Sequence, residues 1–77
     1  MLVRLYARPG CHLCDVAREV IEAERSRSDF TFEEVSIEGD DRLELEYGIR
    51  IPVVTIDRRE AFEIEVDPEE FATLVRA

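Results

Sequence analysis

The apolar residues of this chain change their spacing along its length, from short continuous runs to helical spacing and back, and this alternation constrains the fold. Residues 2–6 form a run typical of a strand, and residues 13–27 carry apolar side chains at helical spacing. Residues 30–37 and 51–56 have the composition of two further strands. Residues 40–48 between them indicate a short second helix that an aspartate caps.

The second half of the chain predicts a hairpin and a final helix. Residues 57–60 form a tight turn into a fourth strand over residues 61–66, and so short a turn requires antiparallel pairing. Asp67 is placed to cap the last helix, Pro68 to occupy its first position and Glu70 to complete a capping box. The order is therefore β-α-β-α-β-β-α, an α/β fold with a four-stranded mixed sheet flanked by helices. Strands that helices separate favour parallel pairing.

Three local features remain for a structure to test. The apolar parity changes between Phe32 and Val35, so either a bulge lies there or Phe30 lies outside the strand ladder. Gly48 suits the C′ position of the second helix. The four phenylalanines belong to the predicted core, and the last helix is expected to turn three apolar side chains inward: Phe71, Leu74 and Val75.

Length and charge limit the function classes. Seventy-seven residues allow one small domain, over residues 1–77. The net charge of −9 argues against binding to nucleic acid or to an anionic membrane surface, because both would be repelled. The longest apolar run is too short to span a bilayer, and the start of the chain lacks the pattern of a signal peptide. We therefore expect a cytoplasmic protein.

Cys11-His12-Leu13-Cys14 is the only motif with reactive side chains, and it lies between the first strand and the first helix. A Cys-x-x-Cys in a β-α-β pattern is a redox signal. Its Cα atoms, three residues apart in a helical turn, should be ~5–6 Å apart, which a disulfide can bridge. At the helix start, free amides and the helix dipole favour a Cys11 thiolate, and Arg8 adds positive charge. Cys14, a turn further in, is expected to be more buried and less reactive.

The cysteine pair has two alternative interpretations, as half of a metal site or as inert buried thiols. A structural zinc site needs four ligands, and Cys11, Cys14 and the single histidine are the only soft donors in the chain. We expect His12 to point away from the pair as a solvated residue of the first turn. Its alternative role is to lower the pKa of the Cys11 thiol as an imidazolium. We therefore predict neither a metal ligand set nor a cofactor.

Residues 5–14, LYARPGCHLC, together with IPVV at residues 51–54, resemble the glutaredoxin-like family of the thioredoxin-fold superfamily. The similarity covers essentially the whole chain and is closest to short bacterial members with a Cys-His-Leu-Cys site. The resemblance implies that Cys11 is the attacking cysteine and Cys14 the resolving one. It also implies that Arg8 takes the place of a basic residue that supports the thiolate and contacts a carboxylate of glutathione.

The resemblance also bears on the loop before the third strand and on two departures from the family pattern. It implies that Pro52 is a cis proline facing the cysteines and that the backbone of Ile51 pairs with substrate, whereas the residues alone favour a trans proline at a strand start. His-Leu replaces the usual Pro-Tyr between the cysteines, which affects the redox potential. Val66 and Asp67 stand where glutathione-using members have Gly-Gly, which affects glutathione binding.

Three functions from different classes fit these observations. The first is a thiol–disulfide oxidoreductase that exchanges a Cys11–Cys14 dithiol with protein or low-molecular-weight disulfides. Its reductant would be a thioredoxin-reductase-type system or glutathione. The second is a metal or iron–sulfur carrier that uses Cys11 across a dimer together with an exogenous thiol. The third is an adaptor of the thioredoxin fold whose site no longer turns over.

Overall fold

Seven elements follow one another in the computed structural model, which describes residues 1–76. They are β1 (Leu2–Ala7), α1 (His12–Arg25), β2 (Thr31–Ser36), α2 (Asp41–Tyr47), β3 (Val53–Ile56), β4 (Arg59–Glu63) and α3 (Pro68–Arg76). The four strands form one mixed sheet in the order β2-β1-β3-β4. The predicted α/β architecture and element order are therefore confirmed.

The pairing of β3 with β1 differs from the expectation that helix-separated strands pair in parallel. β1 and β2 are parallel, but β3 runs antiparallel to β1 and to β4. The seven residues of α2 span about 10 Å, whereas the six residues of β2 span about 20 Å. Because α2 is too short to carry the chain back along the sheet, β3 enters from the end where β2 leaves.

This topology brings three segments to one end of the sheet. Tyr6 pairs with Val53, and Val53 pairs with Glu63. The residues that follow β1, those that precede β3 and those that follow β4 therefore lie beside one another. The cysteine motif belongs to the first of these segments.

The turn of the hairpin begins at Asp57 as predicted, but β4 lies two to three residues earlier in the chain than predicted. Asp57 and Arg58 both have positive φ, at 50° and 71°, so they form the turn and β4 begins at Arg59. β4 ends at Glu63 because Ile64 has φ of 70° and leaves the extended conformation. The prediction of a strand over residues 61–66 was wrong at both ends.

The core lies between the sheet and the helices α1 and α3. Phe71 is completely buried and meets Phe30 edge-on, with ring centroids 5.7 Å apart. Phe30 lies outside β2, and the β1–β2 register is continuous, so of the two alternatives for this segment the bulge is excluded. Phe32 and Phe62 are half-buried against the same core. Leu74 is 43% exposed, so the prediction that it faces inward was wrong.

Side-chain caps begin the last two helices as the sequence predicts. The Leu43 amide donates to Asp40 Oδ1 at 3.0 Å, and the Glu70 amide donates to Asp67 Oδ2 at 2.9 Å. Gly48 ends α2 with a right-handed φ of −50°, so the expected left-handed C′ glycine is absent there. None of the helices described within residues 1–76 is long and apolar enough to cross a membrane.

Candidate functional site

A four-residue turn carries the chain from β1 into α1. The Cys11 amide donates to the carbonyl of Arg8 at 3.3 Å, which closes the turn around Pro9 and Gly10. Gly10 has φ of 79°, a conformation that glycine adopts without the steric cost of a Cβ. Proline followed by a left-handed glycine is the composition of a type II turn. The sequence therefore fixes where Cys11 enters the helix.

Cys11 caps α1 with its own sulfur. Its backbone is extended, and the Cys14 amide donates to Cys11 Sγ at 3.1 Å. The Cys11 and Cys14 sulfurs lie at disulfide distance, with their Cα atoms 5.2 Å apart. Cys14 is completely buried and Cys11 is half-buried. Cys14 is therefore the more buried cysteine of the pair, as predicted.

Arg8 is the first residue of the turn that leads into the cysteine motif, and its guanidinium forms an ion pair. Its Nη2 donates to Glu44 Oε1 on α2 at 3.0 Å, and each of the two side chains is 39% exposed. Sequence reasoning assigned Arg8 to the cysteines as a source of positive charge and did not consider Glu44. The ion pair leaves a smaller net positive field at the cysteines than a free guanidinium would produce.

Ile51 and Pro52 lie at the same end of the sheet as the cysteines. The Ile51–Pro52 bond is cis, as predicted, and Pro52 is buried. The Ile64 amide donates to the carbonyls of Pro52 at 2.8 Å and Arg50 at 3.3 Å. Among the loop hydrogen bonds of residues 1–76, none uses the Ile51 backbone.

Arg50 holds the outer side of this loop in place. Its guanidinium contacts Glu60 at 2.6 Å and Glu63 at 3.3 Å, and it donates to the carbonyl of Glu46 at 2.9 Å. The hydrogen bond to Arg50 lowers the pKa of Glu60 below its usual value. Arg50 also lies 5.5 Å over the ring of Tyr47. β4 and α2 are thus joined through a single side chain next to the cis proline.

Tyr47, which lies under the guanidinium of Arg50, also contacts β1. Its ring stacks on Tyr6 with a centroid distance of 4.3 Å. Burial, and secondly the neighbouring Tyr6, raise the pKa of Tyr47 above its usual value. Tyr6 is half-buried rather than fully inside the core. Nothing in the sequence spacing pairs these two tyrosines, because the contact depends on where α2 lies against β1.

His12 and the start of α3 complete the predicted residues. His12 is the first residue of α1 and is exposed, as expected for a solvated first-turn residue. Asp67 occupies the position of the second glycine in the Gly-Gly pair of glutathione-using members. Its side chain accepts a hydrogen bond from the Glu70 amide, and its carbonyl accepts one from the Phe71 amide. Val66 is buried. Within residues 1–76, no three His, Cys, Asp or Glu side chains cluster as metal ligands would.

Sequence reasoning missed three residues at this end of the sheet: Glu44, Tyr47 and Ile64. Each becomes relevant only through a contact across the fold, with Arg8, Tyr6 and Pro52 respectively. A β-branched residue has no tendency toward positive φ, so no sequence signal marks Ile64.

Comparisons with known proteins agree with this geometry. A family model described as a glutaredoxin-like domain matches residues 2–76. A glutaredoxin-like protein from Dictyostelium discoideum is 30% identical over 73 residues, which cover 87% of this chain and 68% of that protein.

Solved structures share the fold. The X-ray structure of target protein XcR50 from X. campestris superposes with a TM-score of 0.76 at 33% identity, covering 94% of this chain and 92% of that one. The solution structure of protein Ne2328 from Nitrosomonas europaea gives a TM-score of 0.79 at 25% identity, covering 95% and 88%. A mutant thioredoxin from Halobacterium salinarum is 19% identical and gives a TM-score of 0.66, covering 96% of this chain and 70% of that one. This similarity is one of fold.

Proposed function

The chain belongs to the glutaredoxin-like domain family, and we propose that it is a small thiol–disulfide oxidoreductase cycling between a Cys11–Cys14 dithiol and disulfide. One observation carries the proposal: the sulfur of Cys11, a half-buried residue, accepts a hydrogen bond from the Cys14 amide at the start of α1 and lies at disulfide distance from the buried Cys14 sulfur. In the reduced protein, the same amide and the positive end of the helix dipole would stabilise a Cys11 thiolate.

Reduction of a substrate disulfide proceeds in two exchanges. The Cys11 thiolate attacks one substrate sulfur, forms a mixed disulfide and releases the other substrate sulfur as a thiolate. Cys14 then loses its proton to solvent or to that thiolate and attacks the Cys11 sulfur. The Cys11–Cys14 disulfide forms and the second substrate thiol leaves. Two electrons pass from the protein to the substrate, and a dithiol reductant must restore them.

Four neighbouring residues would bind the substrate. The free backbone of Ile51 pairs with an extended chain beside Cys11, and the buried ring of Pro52 holds that loop against the sheet. His12, which is exposed, and Arg8, which is half-buried, would contact the substrate from the cysteine side. Substrates are protein or small disulfides. The net charge of −9 disfavours nucleic acid and anionic membranes, and a reducing compartment such as the cytoplasm suits a dithiol.

Trapping the mixed disulfide tests this function. Purified Cys14→Ser protein is incubated with 2-hydroxyethyl disulfide, and Cys11→Ser is its matched control. We expect the adduct mass on Cys14→Ser alone, because only that variant retains the attacking sulfur. Adducts on Cys11→Ser alone would reverse the assignment of the two cysteines.

Two further measurements separate the alternatives. Visible absorption of the protein as purified would favour an iron–sulfur carrier, because a dithiol does not absorb there. Failure of the reduced wild-type protein to reduce any disulfide would favour an adaptor. Turnover without a chromophore would support the oxidoreductase.

A further inference from the structure

A groove of about 580 Å³ runs beside the cysteine motif, between α1 and the chain segment that joins β4 to α3. Three large apolar side chains on its walls are exposed: Leu13 by 45%, Val16 by 42% and Ile64 by 40%. Leu13 lies between the two cysteines in the chain, so this apolar surface begins at the redox pair. Three such side chains around one groove form a patch rather than the scattered exposure of an ordinary surface.

The backbone holds Ile64 in an unfavourable conformation at this groove. Its φ of 70° is rare for a β-branched residue. The Glu65 amide donates to the carbonyl of Glu63 at 2.7 Å, which closes a γ-turn around Ile64, and the Ile64 amide is held by Pro52. Ile64 therefore combines a strained backbone with a side chain that is 40% exposed. Strain of this kind is concentrated at binding sites.

The charges around the groove all have one sign. Four acidic residues line the groove: Glu63, Glu65, Asp67 and Glu70. Among the described residues, no arginine lines it. Glu63 contacts Arg50, and Asp67 caps α3. Glu65 and Glu70 make no ion pair within residues 1–76. Two carboxylates therefore stand uncompensated beside an apolar patch.

On the basis of the proposed disulfide exchange, we infer that this groove binds a segment of a partner polypeptide in which an apolar residue and adjacent arginines or lysines lie near the reacting cysteine. The apolar side chain packs against Leu13, Val16 and Ile64, and the cations pair with Glu65 and Glu70. The charge complementarity selects a basic partner and disfavours an acidic one.

Peptide disulfides of matched sequence test the inference. Three cysteine peptides are prepared as mixed disulfides with nitrothiobenzoate, one with a leucine and two arginines, one with a leucine and two glutamates, and one with a serine and two arginines. We expect the reduced wild-type protein to reduce the first about tenfold faster than the second, and the difference to shrink as salt is added. The third should react more slowly than the first.

Variants assign the effect to the groove. Glu65→Lys should abolish most of the preference for arginine, whereas Asp29→Lys, the same charge change at the opposite end of the sheet, should retain it. Ile64→Gly should slow reduction of the leucine peptides and leave the serine peptide unchanged, and it relieves the left-handed strain, so the fold should not suffer. Leu45→Ser, which removes an apolar side chain 91% exposed outside the groove, is its control.

Equal rates for the three peptides, or equal losses in Glu65→Lys and Asp29→Lys, would overturn the inference. 2-Hydroxyethyl disulfide, which is small and uncharged, distinguishes this failure from that of the proposed function. If the protein reduces it but does not discriminate among the peptides, the groove assignment is wrong and the oxidoreductase stands. If it reduces none of these disulfides, the proposed function fails, and the groove inference fails with it.

Discussion

Arg8, in the turn that precedes the cysteines, donates a hydrogen bond to Glu44 of α2 at 3.0 Å. This contact ties the cysteine turn to a short helix on the far side of β1. It also partly neutralises the one basic side chain that the family resemblance associates with the thiolate. We therefore expect Glu44 to influence the cysteines through Arg8, as a positioning residue.

Glu44→Gln should make Cys11 more reactive, because the guanidinium of Arg8 regains its full positive charge beside the cysteine turn. For one partly exposed ion pair we expect the rate of alkylation by iodoacetamide near neutral pH to rise about two- to fivefold. A more stable thiolate also makes the disulfide more oxidising, so the reduction potential should become less negative. The alkylation rate is measured on the reduced protein, and the reduction potential is measured in a dithiothreitol redox buffer.

Glu33→Gln is the matched control for this effect. Glu33 forms a comparable ion pair with Arg4 at 2.9 Å on the surface of β1 and β2. The Glu33→Gln substitution should leave the alkylation rate of Cys11 and the reduction potential unchanged. A decrease in Cys11 reactivity in Glu44→Gln would mean that the ion pair holds Arg8 toward the sulfur instead of drawing its charge away.

The two cysteines should differ sharply in reactivity toward iodoacetamide. Cys14 is completely buried, whereas Cys11 is half-buried at the helix start. We expect Cys11 of the reduced protein to be modified at least about tenfold faster near neutral pH. Peptide mapping by mass spectrometry assigns the adduct, and unfolding in guanidinium should remove the difference. Preferential labelling of Cys14 in the native state would contradict the assignment.

Glu24 should contribute to stability at neutral pH and cease to do so in acid. It is buried at the end of α1, and hydrogen bonds from Arg76, and secondly from Ser28, lower its pKa. A carboxylate with a lowered pKa in the folded state stabilises the protein above its unfolded pKa of about 4.3, and this contribution is lost as pH falls through the folded value.

Thermal unfolding of wild type and Glu24→Gln measures this contribution. The wild-type Tm should be several degrees higher at pH 7, and the difference should narrow as pH falls below about 4. Glu22→Gln, which breaks an exposed pair with Arg25, should show almost no difference at either pH. A Tm difference between wild type and Glu24→Gln that does not change with pH would mean that the effect comes from packing rather than from charge.

The sequence predicted those features that depend on local chemistry. Asp67 and Pro68 begin α3 where a capping residue and an N1 proline must be, and the cysteine pair lies at the start of α1. It did not predict where β4 ends, because Ile64 leaves the strand through hydrogen bonds to the distant Pro52 loop. The exposure of Leu74 likewise depends on how α3 packs, which its helical spacing does not specify.

The same limit applies to the candidate site. A Cys-x-x-Cys between a strand and a helix indicates the reactive sulfurs directly, because four consecutive residues contain it. The surroundings come from three separate segments that only the sheet register brings together. Arg50 shows this: one side chain contacts Glu60 and Glu63 of β4 and the backbone of α2, at sequence separations that no local pattern reports.

Glutathione should be a poor reductant for this protein, and a protein dithiol that a thioredoxin-reductase-type enzyme supplies with electrons should be a better one. A carboxylate of the tripeptide needs free amides at the start of the last helix. The Glu70 and Phe71 amides are already bonded to Asp67, whose negative charge would also repel the carboxylate. We expect slower reduction of the oxidised protein by the glutathione system than by the thioredoxin-reductase system under matched conditions.

Asp67→Asn tests the physical cause of that preference, because asparagine caps helices as well as aspartate does but carries no charge. The variant should keep its Tm near that of wild type and react with glutathione about two- to fivefold faster, since one repulsive charge is gone. Asp29→Asn, at the opposite end of the sheet, should not change the rate. Saturation of the wild-type protein at low millimolar glutathione, with a clear preference over the protein dithiol, would show that Val66 and Asp67 leave the tripeptide site intact.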